Sequence, residues 1–503
     1  MRPSKIAVRQ WCLALVSTGS LIAGAIALQS CGGEGGPIGS GGAGGGGNTG
    51  IAAAFKALQP AAQQDATYVG TQKCAECHSS NALVADGGIY EHWQGTAHAN
   101  ANVGCENCHG PGSAHAAGPS TDNILTYPKS TNAIVCAQCH GKIYDDWKGS
   151  AHAEVVPDPV VEAPANYKTS RCIQCHSGLF RVAVENGEDP NLMTVERVTQ
   201  LAEETYNEAD PASSDVPFTA SCVTCHNPHS TTGNLDVDGA EVQLRHTVTQ
   251  TDVTKILPST TPNTVDNWVN FDHTCGECHN GRGADGSDAR LSLANSGSRP
   301  NVHDSPQFNM LLGVKDSGSE YPTAPIVRNM AHATITGQCV KCHMPDGKHT
   351  FVVDLAVSCQ PCHTADGAAA RVASARGEIL NQMAVVKSRL ESWAFTTFGD
   401  KNLWDYSALL PVGTTAPPIT SYPMEIRRAR HNLYYIIRDG SYGPHNAPYS
   451  LYLMERANAN LDTLGVPPIS AAQALGGRTA NTSLQEFKQM GARAAASATE
   501  LTQ

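Results

Sequence analysis

The apolar positions of the C-terminal third follow a helical period. Between 371 and 395, apolar residues recur mostly at steps of three and four, which predicts a long amphipathic helix. A Pro-rich break follows at 411–423, and helical patterns resume at about 424–438 and 447–464. We therefore expect a C-terminal helical bundle. The apolar positions of the first helix are Val372, Ile379, Met383, Val386, Leu390 and Trp393.

Residues 74–363 show a different pattern. Gly, Pro, Asn and Ser are frequent, few strands are indicated, and one clear helix is predicted near 191–209. Eight copies of Cys-x-x-Cys-His punctuate this region, and we number them motifs 1 to 8 along the chain. They are CAECH at 74–78, CENCH at 105–109, CAQCH at 136–140, CIQCH at 172–176, CVTCH at 222–226, CGECH at 275–279, CVKCH at 339–343 and CQPCH at 359–363.

This spacing is typical of covalent attachment of c-type haem. The two thiols add to the vinyl groups of the porphyrin, and the adjacent imidazole reaches the iron from one face. Structural zinc does not require a His after every Cys pair, and a thioredoxin-like motif would occur once. The predicted attachment residues are Cys74, Cys77, Cys105, Cys108, Cys136, Cys139, Cys172, Cys175, Cys222, Cys225, Cys275, Cys278, Cys339, Cys342, Cys359 and Cys362. The predicted proximal ligands are His78, His109, His140, His176, His226, His279, His343 and His363.

Eight haem c groups leave little polypeptide for each cofactor. The motif region provides only about 36 residues per haem, too few for a conventional core around each one. The expected fold is mainly α with extensive coil, wrapped around eight haems. The expected divisions are a signal peptide at 1–30, a Gly-rich tether at 31–65, an octahaem domain at 66–365, a helical region packing on it at 366–465 and a tail at 466–503.

The N-terminus accounts for the two cysteines outside the motifs, Cys12 and Cys31, and leaves none for a disulfide in the mature protein. Three basic residues precede an apolar stretch from Trp11 to Leu28, as in a secretory signal peptide. The sequence ending in Cys31 resembles a bacterial lipobox, which implies lipidation of Cys31 and an anchor at the membrane surface. Gly32 favours transport to the outer membrane, on its periplasmic side or at the cell surface. Ordinary signal cleavage nearby is the alternative.

The net charge of the chain limits the classes of binding partner that we expect. Without the signal the chain carries 31 basic and 46 acidic residues, a formal charge of −15. This balance argues against nucleic acid. It suits redox partner proteins, such as other cytochromes or a porin-cytochrome conduit, or extracellular electron acceptors such as metal oxide.

The ligand on the second face of each iron separates an electron carrier from an enzyme, because an open position lets substrate bind. Twelve histidines lie outside the motifs, enough to close every iron. Residues 93–99 and 147–153 repeat a Trp-x-Gly-(Ser/Thr)-Ala-His-Ala element, and we expect both copies to present their His to iron. His92, His246, His273 and His431 are interpreted as non-ligands, and Met310, Met330 and Met344 as packing residues. The distal candidates are His98, His115, His152, His229, His303, His332, His349 and His445.

His229 follows the proximal His226 by only three residues. So short a span cannot reach around the porphyrin edge. We therefore expect His229 to ligate a neighbouring haem.

Several stretches resemble known multihaem families. CENCHGPGSAH and the repeated Trp element resemble the tetrahaem cytochromes of nitrifying bacteria. The motif order, CVKCHMP and DGSYGPHNAPYSLYLMERA resemble the group that contains pentahaem nitrite reductase, octahaem nitrite and tetrathionate reductases and hydroxylamine oxidoreductase. The resemblance spans about 65–465 and extends to outer-surface multihaem lipoproteins of metal-reducing bacteria.

Departures from that group bear on function. Its reductases carry a Cys-x-x-Cys-Lys motif, which this chain lacks. In hydroxylamine oxidoreductase a tyrosine is attached to the active haem, whose counterpart by chain order is the haem at Cys172, Cys175 and His176. The tyrosines in the corresponding region are Tyr406, Tyr434, Tyr435 and Tyr442, and aromatic packing is the preferred explanation for them.

Two functions follow as expectations. The favoured one is an extracytoplasmic electron carrier with mostly bis-histidine haems, working in anaerobic or extracellular metal respiration. The alternative is a nitrogen- or sulfur-oxyanion oxidoreductase with the fourth haem as its active site.

Electron paramagnetic resonance of the purified oxidised protein separates these functions. If every iron is closed by a second protein ligand, only low-spin ferric signals are expected. One high-spin signal beside seven low-spin haems, with turnover of nitrite, hydroxylamine or tetrathionate, would establish the enzyme instead.

Overall fold

A computed structural model describes most of the chain. The described residues are 48–80, 87–154, 173, 175–190, 192–207, 220–251, 272–281, 288–292, 302, 306–314, 330–360, 362–406, 417–477 and 479–500. The signal segment, Cys12, Cys31, Cys172 and His303 lie outside them.

The described secondary structure is helical. Up to Cys225 the α-helices are α1 Asn48–Leu58, α2 Thr71–His78, α3 Ile89–Gln94, α4 Ala97–Asn100, α5 Cys105–His109, α6 Ser113–Ala117, α7 Ile134–Ala137, α8 Gly141–Lys148, α9 Ala151–Glu154, α10 Gly178–Glu185, α11 Val195–Asn207 and α12 Cys222–Cys225. Beyond it they are α13 Asp288–Leu291, α14 Gln307–Leu312, α15 Gln338–His343, α16 Leu355–Ser358, α17 Ala365–Phe398, α18 Met424–Asp439, α19 Ala447–Thr463, α20 Ala471–Leu475 and α21 Ala480–Glu500.

Short helices and coil dominate the motif region. Its helices mostly span one or two turns, and β-structure among the described residues is confined to isolated bridges at His226–Leu244 and Leu235–Glu241. The predicted helix near 191–209 is present as α11. The expected fold class, mainly helical with extensive coil, is confirmed.

Apolar packing in this region is divided into small clusters. One joins Phe55 of α1 to Trp147 of α8 through Ile134 and Val135 of α7. Another packs helices α10 and α11 together through Leu179, Phe180, Val198 and Leu201. A third is formed around Phe308. Such small clusters fit a chain whose cofactors supply much of the buried apolar surface.

The main protein core lies in the C-terminal bundle of α17, α18, α19 and α21. Ile379, Met383, Val386 and Leu390 of α17 are buried there, as their period predicts. The segment treated from sequence as a tail also contributes, because Phe487 and Met490 of α21 belong to the same core.

Local signals set the ends of the bundle helices. The Thr364 hydroxyl accepts a bond from the Gly367 N–H at 3.1 Å and caps α17, and Asn446 caps α19 through the Tyr449 N–H at 3.0 Å. Gly440 ends α18 at φ 75°, a left-handed conformation that favours glycine.

A buried cation is packed at the centre of the bundle. Arg430 of α18 donates to Asp405 Oδ1 through Nε at 2.9 Å and through Nη2 at 2.7 Å, and the Tyr434 hydroxyl donates to Asp405 Oδ2 at 2.5 Å. The guanidinium carbon lies 4.3 Å from the Tyr406 ring centre and 4.4 Å from that of Tyr434. The charge is thus paired with a carboxylate and flanked by two aromatic rings.

Several hydrogen bonds fasten the bundle to the motif region. Arg428 pairs with Asp288 of α13, with 2.5 Å between Nη2 and Oδ2. Asn446 Nδ2 donates to the Leu311 carbonyl at 3.1 Å, and Gln307 Nε2 donates to the Arg438 carbonyl at 3.2 Å. The loop between α18 and α19 is therefore held against the motif region.

No described helix combines the length and apolar character needed to cross a lipid bilayer.

The Arg430 network leads to a stability prediction. Asp405→Asn keeps the side-chain size but leaves a buried guanidinium without its counter-charge, which should lower the free energy of unfolding by about 3–5 kcal/mol. Asp146→Asn is the matched control, because its partner Lys142 is 80% exposed, and it should cost less than about 1 kcal/mol. Guanidinium denaturation followed by far-UV circular dichroism measures both. Equal losses would contradict the role given to Asp405.

Candidate haem-binding sites

Helical turns at the motifs place the attachment groups together. In motifs 3, 5, 6 and 8 the His N–H donates to the carbonyl of the first Cys at 2.9–3.0 Å, which closes one helical turn. Residues three and four apart share a helix face. Both thiols and the imidazole of such a motif therefore lie on one side, as haem attachment requires.

Seven motif histidines face a second histidine from elsewhere in the chain. Each ring centre lies 5.9–6.5 Å from that of its partner. The pairs are His78 with His115, His109 with His229, His140 with His98, His226 with His349, His279 with His152, His343 with His445 and His363 with His332.

This separation fits an iron between two imidazoles. A metal–imidazole bond is about 2.0 Å long and the ring centre lies roughly 1.1 Å behind the bound nitrogen, so two ligands on opposite faces need about 6.2 Å between ring centres. The spacing therefore fits six-coordinate haem at these seven motifs.

The two repeated Trp elements act alike. His98 faces His140 at an interplanar angle of 75°, and His152 faces His279 at 72°. In each copy the Trp indole donates to a backbone carbonyl, from Trp93 to Val103 and from Trp147 to Ala220. The element thus presents its histidine in the same way twice.

Hydrogen bonds orient many of the paired rings. Nδ1 lies within hydrogen-bonding distance of a backbone carbonyl in six of them. The pairs are His109 with Leu125, His115 with Ser120, His226 with Val242, His332 with Pro444, His343 with Phe351 and His349 with Gly347. A proton held at Nδ1 leaves Nε2 as the metal-binding atom.

Burial keeps two distal histidines in their metal-binding form. Burial, reinforced by the facing imidazole, lowers the pKa of His152 to about 4 and that of His229 to about 4. Both rings are therefore neutral near pH 7, the form that coordinates iron.

The pairs link motifs that are distant in sequence. His229 follows motif 5 but faces His109 of motif 2, in line with the expectation that it serves a neighbouring site. His115 likewise follows motif 2 and faces His78 of motif 1, and His349 follows motif 7 and faces His226 of motif 5.

Attachment thiols of different motifs also meet. The thiols of Cys74 and Cys105 lie close enough to interact, as do those of Cys136 and Cys222, Cys275 and Cys339, and Cys278 and Cys175. The neighbouring Cys74 thiol lowers the pKa of the Cys105 thiol to about 7. His273 joins Cys275 and Cys339 in a group whose ligand atoms all lie within 4.8 Å of one another. Because both thiols of this group belong to motifs, we interpret it as a contact between motifs 6 and 7.

Cys139 departs from the sequence-based expectation. It is disulfide-bonded, whereas the other described cysteines are free thiols. Because one sulfur cannot carry both a disulfide and a thioether, haem attachment at motif 3 would require this disulfide to be reduced first. Haem attachment at Cys139 remains a prediction.

The remaining histidines occupy other environments. His92 is exposed, His246 Nε2 lies 2.8 Å from Glu185 Oε1, and His273 stacks on Phe308. His431 is buried on α18 beside Tyr435. None of the four faces a motif histidine in the described pairs. His303 lies outside the described residues, so its relation to His176 of motif 4 stays a prediction.

The four tyrosines considered as haem-attached residues lie in the bundle core. Tyr406, Tyr434, Tyr435 and Tyr442 are each at most 2% exposed and pack within its main apolar cluster. Their positions support the packing interpretation.

Two features near the motifs could not be recognised from sequence. Arg181 forms a buried ion pair with Glu277, a variable position of motif 6, and Arg181 Nη2 lies 3.9 Å from Cys278 Sγ. Asp439 contacts the distal candidate His445, with 2.6 Å between Oδ1 and Nδ1. Burial lowers the pKa of His445, but the Asp439 carboxylate more than offsets this, and the pKa is raised. No motif requires either acidic residue.

Parts of this chain are similar in sequence to known proteins. Residues 51–110 and 135–200 match the family model of cytochrome c554 and c-prime. The C-type polyheme cytochrome OmcC of Geobacter sulfurreducens is 27% identical over 169 residues, which cover 31% of this chain and 20% of that protein. The matched region thus spans about a fifth of this relative.

Two solved structures are similar in fold. The outer cell wall cytochrome OcwA is 18% identical with a TM-score of 0.44, covering 71% of this chain and 70% of that one. The undecaheme cytochrome from the S-layer of Carboxydothermus ferrireducens is 21% identical with a TM-score of 0.42, covering 73% of this chain and 51% of that one.

The motifs, the paired histidines and the family match define the class of this chain. It is a multihaem c-type cytochrome. Its relatives are polyhaem cytochromes as well.

The pairing predicts the effect of removing one distal histidine. His445→Ala should convert one haem to the high-spin state, because one face of the iron at His343 loses its ligand. His92→Ala is the control, since His92 is exposed and faces no motif histidine among the described pairs. Electron paramagnetic resonance and the visible spectrum measure the spin state, and mass spectrometry checks that both variants retain all their haems. An unchanged low-spin spectrum for His445→Ala would remove His445 from the ligand set.

Proposed function

We propose that this protein is an extracytoplasmic electron carrier that holds eight covalently bound haem c groups, each iron closed by two histidines. The observation that carries the proposal is the set of seven imidazole pairs with ring centres 5.9–6.5 Å apart. Iron closed on both faces exchanges single electrons but offers no site for substrate.

For the eighth haem we propose ligation by His176 and His303. Motif 4 is the one motif outside the seven described pairs, and His303 is the distal candidate outside them. Cys172 and Cys175 would attach this haem. The alternative of an enzyme with its active site at motif 4 is not favoured, because the relatives are polyhaem cytochromes and the tyrosines considered for it lie in the bundle core.

We further propose a spatial order for the haems from contacts between thiols. Neighbouring thiols link motifs 1 with 2, 3 with 5, 6 with 7 and 6 with 4. Cys108 lies close enough to Cys136 for an electrostatic interaction, as do Cys225 to Cys275 and Cys342 to Cys359. These contacts support a path 1-2-3-5-6-7-8, with motif 4 as a branch from motif 6.

Protein side chains determine the ligation and the local charge along this path. Paired histidines fix the ring positions, and the buried Arg181–Glu277 pair lies where motifs 4 and 6 meet. Because the guanidinium is neutralised by a carboxylate, it adds polarity without a large net charge at the branch point. The chain itself thus supplies ligation, spacing and dielectric.

Location and partners follow from the sequence features. The signal-like N-terminus, the lipobox-like sequence ending in Cys31 and the Gly-rich segment support attachment to the outer membrane, on its periplasmic side or at the cell surface. The formal charge of −15 after signal removal supports redox partners with positive surfaces or exposed haem edges. Transfer from periplasmic cytochromes to a porin-cytochrome conduit or an extracellular metal acceptor is the role we propose.

The branched path can be tested by removing single haems. Replacing Cys275 and Cys278 by Ala should abolish most of the current through a film of the protein between two electrodes, because motif 6 connects motif 5 to motif 7. Replacing Cys172 and Cys175 by Ala is the matched control and should leave most of the current, because motif 4 lies off the path. Mass spectrometry should find seven haems in each variant. An equal loss of current in both would contradict the branch.

A further inference from the structure

The loop between α18 and α19 contains a hydrogen bond unlike the others at the haem ligands. His445 Nδ1 lies 2.6 Å from Oδ1 of Asp439, the last residue of α18. Seven other paired histidines have a described acceptor for Nδ1, and in all seven the acceptors are neutral oxygens: backbone carbonyls or the Gln307 and Asn123 side-chain amides. Only at His445, among these eight rings, is the acceptor a carboxylate.

Asp439 occupies a position that is unfavourable for its charge. A carboxylate at the C-terminal end of a helix faces the negative end of the helix dipole. The Asp439 side chain is also completely buried, which disfavours an ionised group without strong partners. An acidic residue that breaks two local rules at once points to a functional reason for its position.

The surrounding loop holds this carboxylate in place. Ser441 donates to Asp439 Oδ2 through its hydroxyl at 2.5 Å and through its backbone N–H at 3.2 Å. Gly443 has φ 128°, and a side chain there would meet Ile379 Cδ1 of α17 at 2.8 Å. The tight turn therefore fixes Asp439 and His445 relative to each other.

We propose that Asp439 tunes the haem of motif 7 and makes it harder to reduce than it would be with a neutral acceptor at His445 Nδ1. This inference rests on the proposed function, because it requires that His343 and His445 ligate that haem. A hydrogen bond to a carboxylate increases the electron donation of an imidazole to its metal. Stronger donation and a buried negative charge both favour the ferric over the ferrous state.

The reduction step involves one electron and no proton. A redox partner or a neighbouring haem supplies the electron, and the iron passes from ferric to ferrous. The Nδ1 proton stays on His445 and remains hydrogen-bonded to Asp439. What changes is the relative stability of the two oxidation states, which sets the midpoint potential.

The position of motif 7 gives this tuning a consequence for electron flow. Motif 7 contacts motif 6 through Cys339 and Cys275, and motif 8 through Cys342 and Cys359. A haem that resists reduction at this point separates motif 8 from the rest of the path. Electrons would pass through the haem of motif 7, but this haem would stay mostly oxidised.

The test measures midpoint potentials in variants of the complete, haem-loaded protein. Asp439→Asn keeps the size and a hydrogen-bond acceptor but removes the charge, so one midpoint potential in a spectroelectrochemical titration should shift upward. Asp439→Glu retains a carboxylate and should leave that potential nearer to its original value. Asp462→Asn makes the same chemical change elsewhere in the bundle, at a residue paired with Arg389, and should shift no potential.

Ser441→Ala provides a second test with the opposite sign. Loss of the hydroxyl donor concentrates charge on Asp439 and strengthens its pull on the His445 proton. The same potential should therefore shift downward, opposite to the shift in Asp439→Asn. An unchanged potential in Ser441→Ala would contradict the tuning role, and this arm stands even if Asp439→Asn does not fold.

Spin-state measurements separate failure of this inference from failure of the proposed ligation. If Asp439→Asn leaves every potential unchanged while all haems stay low-spin, and His445→Ala still produces one high-spin haem, the ligation stands and the tuning is wrong. If His445→Ala also leaves all haems low-spin, the ligand assignment itself is wrong, and the tuning inference falls with it.

Discussion

Pairing of imidazoles from separate chain segments is the interaction on which the rest of this molecule depends. The helices of the motif region are too short to be stable alone, since isolated helices need roughly 12–15 residues to be even marginal in water. Their apolar clusters are small. Bonds from His109 and His229 to one iron, and from His226 and His349 to another, would tie segments that no continuous core connects. We therefore expect cofactor binding and folding to be coupled in this region.

The C-terminal bundle follows different rules. Its core is built from apolar side chains at helical spacing, and a buried Arg430–Asp405 pair flanked by tyrosines lies within it. The bundle nevertheless serves the haem region, because the loop after α18 carries His445 to His343. A conventional protein core thus holds one ligand of a region that has little core of its own.

The local features of this protein could be predicted from its sequence. The period between 371 and 395 predicts α17, and the fixed spacing of the motifs predicts their chemistry. The short distance from His226 to His229 even indicates that His229 serves another site, because the physical constraint is local. Most pairings could not be predicted, since His226 and His349 are brought together only by the complete fold. The contact between Asp439 and His445 could not be predicted either, because it depends on a local turn conformation that no motif encodes.

The positions of the paired histidines along the chain also determine the order in which the irons could be closed during maturation. If the chain is exported as proposed, the N-terminus emerges first, and the iron at a motif could be closed only when both of its histidines have emerged. Motif 1 is complete once His115 is available and motif 3 once its own His140 is, whereas motif 2 must wait for His229. Motif 7 comes last, because His445 lies behind the whole of α17 and α18. Closure of that final iron would therefore report that the chain has emerged through α17 and α18, the first two helices of its haem-free end.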